Sequence, residues 1–336
     1  MTSRAAVVGA GSWGTALANL LAGKGIDTVV WSFEPDVADA INHGHANSKY
    51  LDGISLAPSL RATTDMAEAM RGADLVLSVS PSHVVRQVMA QAAPHMADGV
   101  LLVSASKGIE NESLMTMDGV LADVLPPSVS DSACFLSGPS FALEVGKGFP
   151  TAVTIASKNQ DAANRAQAAF QTSVFRVYTS SDVAGVELGG SVKNVIAIAA
   201  GVVEGMGFGF NTQAALITRG LAEITRLGQA MGADPRTLAG LAGIGDLMLT
   251  CMGGLSRNRT VGVELGRGRS LDDILGGMVM VAEGVRTARS ARDLAHRTGV
   301  EMPIVEAVHD MLFAGLDPRR AVEQLMLREP KAEHWG

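Results

Sequence analysis

The chain changes its hydrophobic rhythm about halfway along. In the first half, short aliphatic runs recur at Ala5 to Val8, Thr28 to Trp31, Leu75 to Val79, Leu101 to Ala105, Phe135 to Ser137 and Ala152 to Ile155. They are apolar at consecutive rather than alternate positions, the pattern of strands buried on both faces. Helix-like stretches separate the earlier runs, at Thr15 to Leu21, Ser82 to Ala92 and Glu112 to Val124. Strands joined by helical crossovers predict an α/β arrangement around a doubly wound, mostly parallel sheet. From about Val183 the alternation stops. Helical stretches follow at Gly189 to Glu204, Thr212 to Met231 and Ser290 to Arg297, with two more near the C-terminus. Ile217, Leu221, Ile224 and Met231 repeat at helical spacing and make a core-facing stripe. Asp234-Pro235 marks a helix start and Gly299 a stop. The expected organisation is a Rossmann-type domain over residues 1–182 and an all-helical domain over 183–336, which would carry substrate and chemistry.

One stretch gives the first half a purpose. The strand Ala5 to Val8 runs directly into Gly9-Ala10-Gly11-Ser12-Trp13-Gly14 and then into a helix. This is G-x-G-x-x-G between a strand and a helix, the context in which the pattern signals dinucleotide binding. Gly9 permits the tight turn, Gly11 lets backbone approach a pyrophosphate, and Gly14 lets the helix pack against the strand. The helix N-terminus offers N–H groups and a positive dipole end to the phosphates. About twenty residues on, the second strand ends in Trp31-Ser32-Phe33-Glu34-Pro35, where the adenosine ribose belongs. No arginine stands there to mark NADP. Glu34 fits either a ribose contact or a helix start before Pro35. NAD and NADP both remain open.

Composition narrows the class. The 336 residues are 47% apolar and 18% charged, with net charge −7, a globular balance that gives no reason to expect nucleic acid or an anionic membrane as partner. Any anionic ligand is therefore left to a few placed cations. Cys134 and Cys251 form no C-x-x-C pair, and the seven histidines show no H-E-x-x-H spacing, so buried thiols and no metal site are expected. His43 and His45 read as solvated side chains in a loop-like stretch. No signal peptide is visible, and the longest apolar run, Val195 to Val203, is too short to cross a bilayer. A cytoplasmic protein without membrane insertion is the expectation.

Ligands of open α/β sheets bind beyond the carboxyl ends of the strands. That rule selects Ser80-Pro81-Ser82, Ser106-Lys107-Gly108 and Ser137-Gly138-Pro139-Ser140, with Lys107 their only cation. Lys193 lies early in a strongly apolar helix, beside Asn194. Either it snorkels to an exposed face, or it sits in a cleft where poor solvation and a second cation lower its pKa. Asp246 stands between glycines and an aliphatic run, and Ser256-Arg257-Asn258-Arg259 is a dense cluster of donors suited to a phosphate dianion.

In order and spacing, Gly9 to Gly14, Ser106 to Gly108, Ser137 to Ala142, Gly190 to Asn194, Gly245-Asp246 and Ser256 to Arg259 resemble the bacterial type of NAD(P)-dependent glycerol-3-phosphate dehydrogenase, over about residues 5–328. The resemblance implies reversible NAD(P)H-dependent reduction of dihydroxyacetone phosphate to sn-glycerol 3-phosphate for phospholipid synthesis. It also implies a helical second domain like that of 6-phosphogluconate dehydrogenase, and a homodimer is expected. Lys193 matches the proton donor, Lys107 its neighbour on substrate and cofactor, and Asp246 a group that orients the substrate or Lys193. Gly138, Ser140, Ser256, Arg257 and Asn258 match substrate contacts. Arg257 and Ala142 match cofactor contacts, as do Gly9, Gly11, Ser12, Trp13, Gly14, Phe33, Tyr50, Val281 and Glu283. Phe33 can stack on adenine but cannot pair with a 2′-phosphate.

These residue types suit the chemistry. Hydride reaching a ketone carbon puts charge on its oxygen, which a nearby ammonium stabilises and then protonates. Two neighbouring lysines would lower each other's pKa. A hydroxy-acid dehydrogenase and a non-catalytic dinucleotide sensor are the competing readings. The second would leave Lys107, Lys193, Asp246 and Arg257 without shared purpose. Domain closure on binding is expected, with Gly205, Gly207 and Gly209 as an elbow.

Overall fold

The computed structural model describes residues 2–278, 280–330, 332 and 333. Its first half is built on strands β1 Arg4–Val8, β2 Asp27–Trp31, β3 Arg61–Thr63, β4 Leu75–Ser78, β5 Leu101–Ser104, β6 Cys134–Ser137, β7 Thr151–Ser157 and β8 Phe175–Ser180. Between them run α1 Ser12–Gly23, α2 Pro35–Gly44, α3 Met66–Met70, α4 Val85–Ala92, α5 Met117–Val124, α6 Pro127–Ser130, α7 Ala142–Gly146 and α8 Gln160–Phe170. The sheet order is β3-β2-β1-β4-β5-β6-β7-β8. Order reverses between β1 and β4, and a crevice at such a switch point is where ligands bind.

Alternate residues of the strands enter opposite cores. Ala5, Val7, Leu75, Leu77, Leu101 and Val103 pack on one face, and Ala6, Val8, Val76 and Leu102 on the other. Both faces are covered, which is why the strands lack a polar alternation.

The sheet is mostly parallel, as expected, with one antiparallel pairing and two strands outside the sequence reading. β7 lies antiparallel to β6, because the connection between them carries only the short α7 and turns the chain back. β3 was not expected. It has three residues and one buried side chain, too few for a periodic signal. β8 was also missed: Phe175 and Val177 are buried while Arg176 and Tyr178 are exposed, the alternating pattern of an edge strand rather than a continuous apolar run.

The second half comprises α9 Val183–Gly205, α10 Phe210–Ala230, α11 Pro235–Leu238, α12 Asp246–Met252, α13 Arg257–Gly266, α14 Leu271–Gly276, α15 Glu283–Thr298, α16 Pro303–Phe313 and α17 Pro318–Met326. Asp234 caps α11 through the Arg236 N–H, and Gly299 ends α15 at φ +69°, both at the expected positions. Helix boundaries differ elsewhere. The helix expected from Glu112 does not form there: residues 111–113 make a turn, Leu114 sits at φ +58° and Thr116 bridges to Ile109, so α5 starts only at Met117. Residues 82–84 form a 3₁₀ turn before α4. α9 and α15 each begin about a turn or more before the expected start. His43 lies in the last turn of α2 and His45 at its C-cap rather than in a loop.

α9 is the axis of this half. Its Val183 and Val186 belong to a sheet core, and its residues from Leu188 onward to the helical core. By length and apolarity it passes as a membrane span, unlike the shorter Val195 to Val203 run, yet its most apolar window is wholly buried inside the protein. It packs against α13 through glycines. A Cβ on Gly201 would meet the Arg259 carbonyl at 2.1 Å, and one on Gly262 the Ile198 carbonyl at 2.0 Å. Gly205 is equally tight, since its Cβ would stand 2.2 Å from the Val263 carbonyl. The elbow expectation therefore fails. Gly205 is a packing contact, and residues 205–209 join α9 to α10 within the helical half.

Candidate active site

The glycine turn behaves as its spacing implies. Gly9 sits at φ +125°, and a Cβ on Gly14 would lie 2.0 Å from the Gly9 carbonyl, so neither position accepts a side chain. Gly11 faces open space, and no side chain caps the first turn of α1. Open room beside uncapped N–H groups fits a pyrophosphate. Ser12 and Trp13 begin α1, and Trp13 packs on the sheet core beneath it, as do Tyr50 and Ala142.

Beyond β4, β5 and β6 the loops converge. The Ser106 hydroxyl donates to the Ser80 carbonyl at 2.6 Å. Gly108 sits at φ +156°, and a Cβ there would stand 2.3 Å from the Ser82 hydroxyl oxygen. Gly138, at φ +146°, packs on β7, and the Ser140 hydroxyl donates back to its carbonyl at 2.9 Å. Gly190 of α9 fits against Ser137 and the Lys107 side chain.

Here Lys107, Lys193 and Asp246 meet. Asp246 Oδ2 accepts from Lys107 Nζ at 2.7 Å, and Oδ1 from Lys193 Nζ at 2.5 Å. Asp246 is only 1% exposed and Lys193 6%. A π-helical turn, Leu241–Gly245, delivers Asp246 to this point, a backbone irregularity found often at functional sites. Thr250 completes the cluster. Its hydroxyl donates to the Asp246 carbonyl at 2.6 Å and accepts from Lys193 Nζ at 2.9 Å. Sequence reading missed Thr250, although its i, i+4 relation to Asp246 put both on one helix face.

Burial is the main influence on Lys193 and lowers its pKa. Asp246 opposes that, Lys107 adds to it, and the result is about 8. Poor solvation and a second cation are the two expected causes, and desolvation is the larger. Burial pushes the Asp246 carboxyl up, but the two lysines outweigh it and hold the group below its ordinary value. A carboxylate bridging two ammoniums, one with a pKa near neutrality, can orient and recharge a proton donor.

The remaining residues form the rim. Glu283 opens α15, and its Oε1 accepts from the Ser82 N–H at 3.0 Å. Burial raises its pKa to about 7. Gly284 lets the start of α15 pack close to α9, since a Cβ there would be 2.5 Å from the Asn194 carbonyl. Val281 is exposed beside it. Asn258 is held at both ends of its amide: Nδ2 donates to Asn194 at 2.9 Å and Oδ1 accepts from the Gly284 N–H at 2.9 Å. Ser256 caps α13 through the Arg259 N–H. Their structural engagements were not foreseen, and they fix the start of α13. Arg257, the first residue of that helix, makes no hydrogen bond or ion pair among the described residues, and Glu283 is the carboxylate whose charge it feels. Its partner in the donor cluster, Arg259, pairs instead with Glu204. Cys134 and Cys251 are buried free thiols.

At the far end of the crevice, Phe33 is 83% exposed. Glu34 precedes α2 without capping it. Its Oε1 accepts from the Tyr50 hydroxyl at 2.7 Å and meets Lys49 at 2.8 Å.

A Rossmann sheet with this glycine turn, whose Lys107 meets Lys193 and Asp246 of the helical half in one buried cluster, defines a dinucleotide-dependent oxidoreductase. The family models agree: residues 4–163 match the NAD-dependent glycerol-3-phosphate dehydrogenase N-terminus, and residues 182–323 its C-terminus. The chain belongs to the NAD-dependent glycerol-3-phosphate dehydrogenase family. It is 57% identical over 335 residues to a glycerol-3-phosphate dehydrogenase (NAD(P)+) of Geobacter sulfurreducens, covering 100% of both chains. The crystal structure of a glycerol-3-phosphate dehydrogenase from Coxiella burnetii superposes with a TM-score of 0.93 at 38% identity, over 97% of this chain and 99% of that one. A yeast glycerol-3-phosphate dehydrogenase superposes at 0.80 with 26% identity, over 96% and 99%.

Proposed function

We propose that the chain reduces dihydroxyacetone phosphate reversibly to sn-glycerol 3-phosphate with NADH or NADPH, supplying glycerophospholipid synthesis. The observation that carries this reading is the buried contact of Lys193 and Lys107 with one Asp246 carboxylate at the strand ends. When bound, the nicotinamide supplies or accepts the hydride at the carbonyl carbon. Lys193 stabilises the charge that develops on the carbonyl oxygen and gives it a proton, a role suited to an ammonium with a pKa of about 8. Asp246 keeps Lys193 aimed and protonated in the resting state. Thr250 fixes the remaining direction of the amine.

Arg257, with unspent donors at the start of α13, binds the substrate phosphate and reaches the cofactor. A guanidinium suits a phosphate because it makes two parallel charge-assisted bonds. Holding the phosphate away from the reacting carbon contributes orientation there. Gly138 and Ser140 shape the wall, while Ser256 and Asn258 act at the substrate through their hold on α13. Gly9, Gly11, Ser12, Trp13 and Gly14 take the pyrophosphate side, Phe33 and Tyr50 the adenosine side. Lys107, Ala142, Val281 and Glu283 line the nicotinamide side.

The reading divides the chain at residues 182 and 183, and includes a homodimer in the cytoplasm. Its test follows reduced-nucleotide absorbance with dihydroxyacetone phosphate, unphosphorylated dihydroxyacetone and a panel of 2-keto acids. Oxidation with the phosphorylated ketone alone supports it. Preference for a keto acid would assign a hydroxy-acid dehydrogenase instead, and turnover with none would leave a sensor.

A further inference from the structure

The residues just past β2 form a recognition corner whose choice of nucleotide the relatives' name, which allows either one, leaves open. We infer that Phe33 and Glu34 make this chain selective for NAD(H) over NADP(H), the 2′-hydroxyl of the adenosine ribose being read by Glu34. The inference rests on the dinucleotide reading above.

Glu34 stands three residues past Trp31, the last residue of β2, which pairs in register with Val8 at the end of β1. It lies about twenty residues past the glycine turn and a little beyond the strand end, in the region where a carboxylate meets the ribose hydroxyls in sheets of this kind. Its Oε1 is occupied by Tyr50 and Lys49. Its Oε2 carries no hydrogen bond among the described residues, which leaves an oriented acceptor for a hydroxyl. The donors that might welcome a phosphate are already committed. Lys49 is shared between Glu34 and Asp36, the Tyr50 hydroxyl donates to Glu34, and the Ser32 hydroxyl donates to the Glu34 carbonyl at 2.9 Å.

Where an NADP site needs a guanidinium, Phe33 offers only a ring. The nearby arginines are spent elsewhere. Arg4 and Arg61 both pair with Asp27, at the opposite end of β2. The next strand end adds two more acids, because Thr63 donates to Glu68 at 2.5 Å and Asp65 caps α3. A 2′-phosphate would bring about two negative charges beside Glu34, where Lys49, already shared with Glu34 and Asp36, is the cation at hand among the described residues.

Calorimetric titration of the full-length chain with NADH and with NADPH tests this without any turnover. NADH should bind about tenfold or more tightly. Glu34→Gln removes the repulsion and should bring NADPH to within about threefold of NADH, and Phe33→Arg combined with it should reverse the order, the gain in NADPH affinity fading with added salt. Both nucleotides are titrated into each variant, so a misfolded protein reveals itself by losing both, and the wild-type ratio then decides. NADPH binding as tightly as NADH to the wild type would overturn the inference. Failure of both to bind the wild type would overturn the dinucleotide reading beneath it.

Discussion

Asp246 and Glu223 are carboxylates of the same helical half, and both are almost sealed from water, at 1% and 2% exposure. Their chemical states are opposite. Two lysine ammoniums touch Asp246 and hold its pKa below the usual range despite burial. Glu223, on α10, accepts instead from the backbone N–H groups of Ile304 at 2.7 Å and Val305 at 3.2 Å, at the start of α16. Burial there prevails, and its pKa rises to about 7. Backbone dipoles satisfy hydrogen bonds without replacing the solvation of a full charge, whereas two ammoniums do both. Burial of an acid therefore says little about its charge. The neighbours decide. One site keeps a permanent anion that organises two cations, and the other keeps an acid that titrates near neutrality and secures a helix.

The sharpest way to break this contrast is to remove the anion that the two lysines share. Asp246→Asn leaves two ammoniums against a neutral amide, and an uncompensated buried charge costs about 3–5 kcal/mol. Lys193 then loses the one influence that raises its pKa, so its folded pKa falls further below 8. A lysine with a depressed folded pKa binds more protons unfolded than folded, so stability rises with pH up to the ordinary lysine value. Denaturant melts of the variant should thus show a large loss at pH 7 that partly recovers by pH 9. A loss that does not change with pH would mean that Asp246 acts only by packing.

Next comes the donor itself. Lys193→Ala should lower turnover on the order of 10²-fold or more while nucleotide affinity survives, because the glycine turn lies on another element. It leaves Asp246 paired with Lys107, so the stability change should stay below that of Asp246→Asn. Retained turnover in a steady-state assay would remove Lys193 from the mechanism.

Legibility in the sequence followed the same contrast. The glycine turn, the buried strands and the identities of Lys107, Lys193 and Asp246 were readable, because full burial writes itself as continuous apolar runs and because charges inside such runs stand out. Their mutual contact was not readable from the residues alone: 53 positions separate Lys193 from Asp246, and a π-helical turn brings them together. Thr250 hid in an ordinary helical sequence. β3 and β8 were lost at the sheet edges, where half-burial gives short or alternating signals. Asn258 reads as a ligand group among donors, yet the fold fastens its amide between Asn194 and Gly284. Glu223 drew no notice at all, because its hydrogen-bond partners are backbone groups 81 and 82 residues away.

The smallest effect tests the other side of the comparison. Glu223 has a folded pKa of about 7 against an ordinary 4.5, so the folded chain binds its proton more tightly than the unfolded chain does. Its contribution is complete below pH 4.5 and is lost as pH rises through 7, a loss of about 3 kcal/mol over that window. Glu223→Gln mimics the protonated acid: one carbonyl oxygen remains for the α16 N–H groups and no charge can form. At pH 5 the substitution should therefore cost only about 1 kcal/mol, the worth of one altered hydrogen bond. By pH 8 the wild type carries a buried anion and the variant does not, so the gap should close or change sign. Thermal melts of both proteins across pH 5 to 8 measure this directly. Parallel curves would show that Glu223 does not titrate in this range, and that its backbone N–H partners with the nearby Arg226 and Arg328 charges do not leave it poised near neutrality.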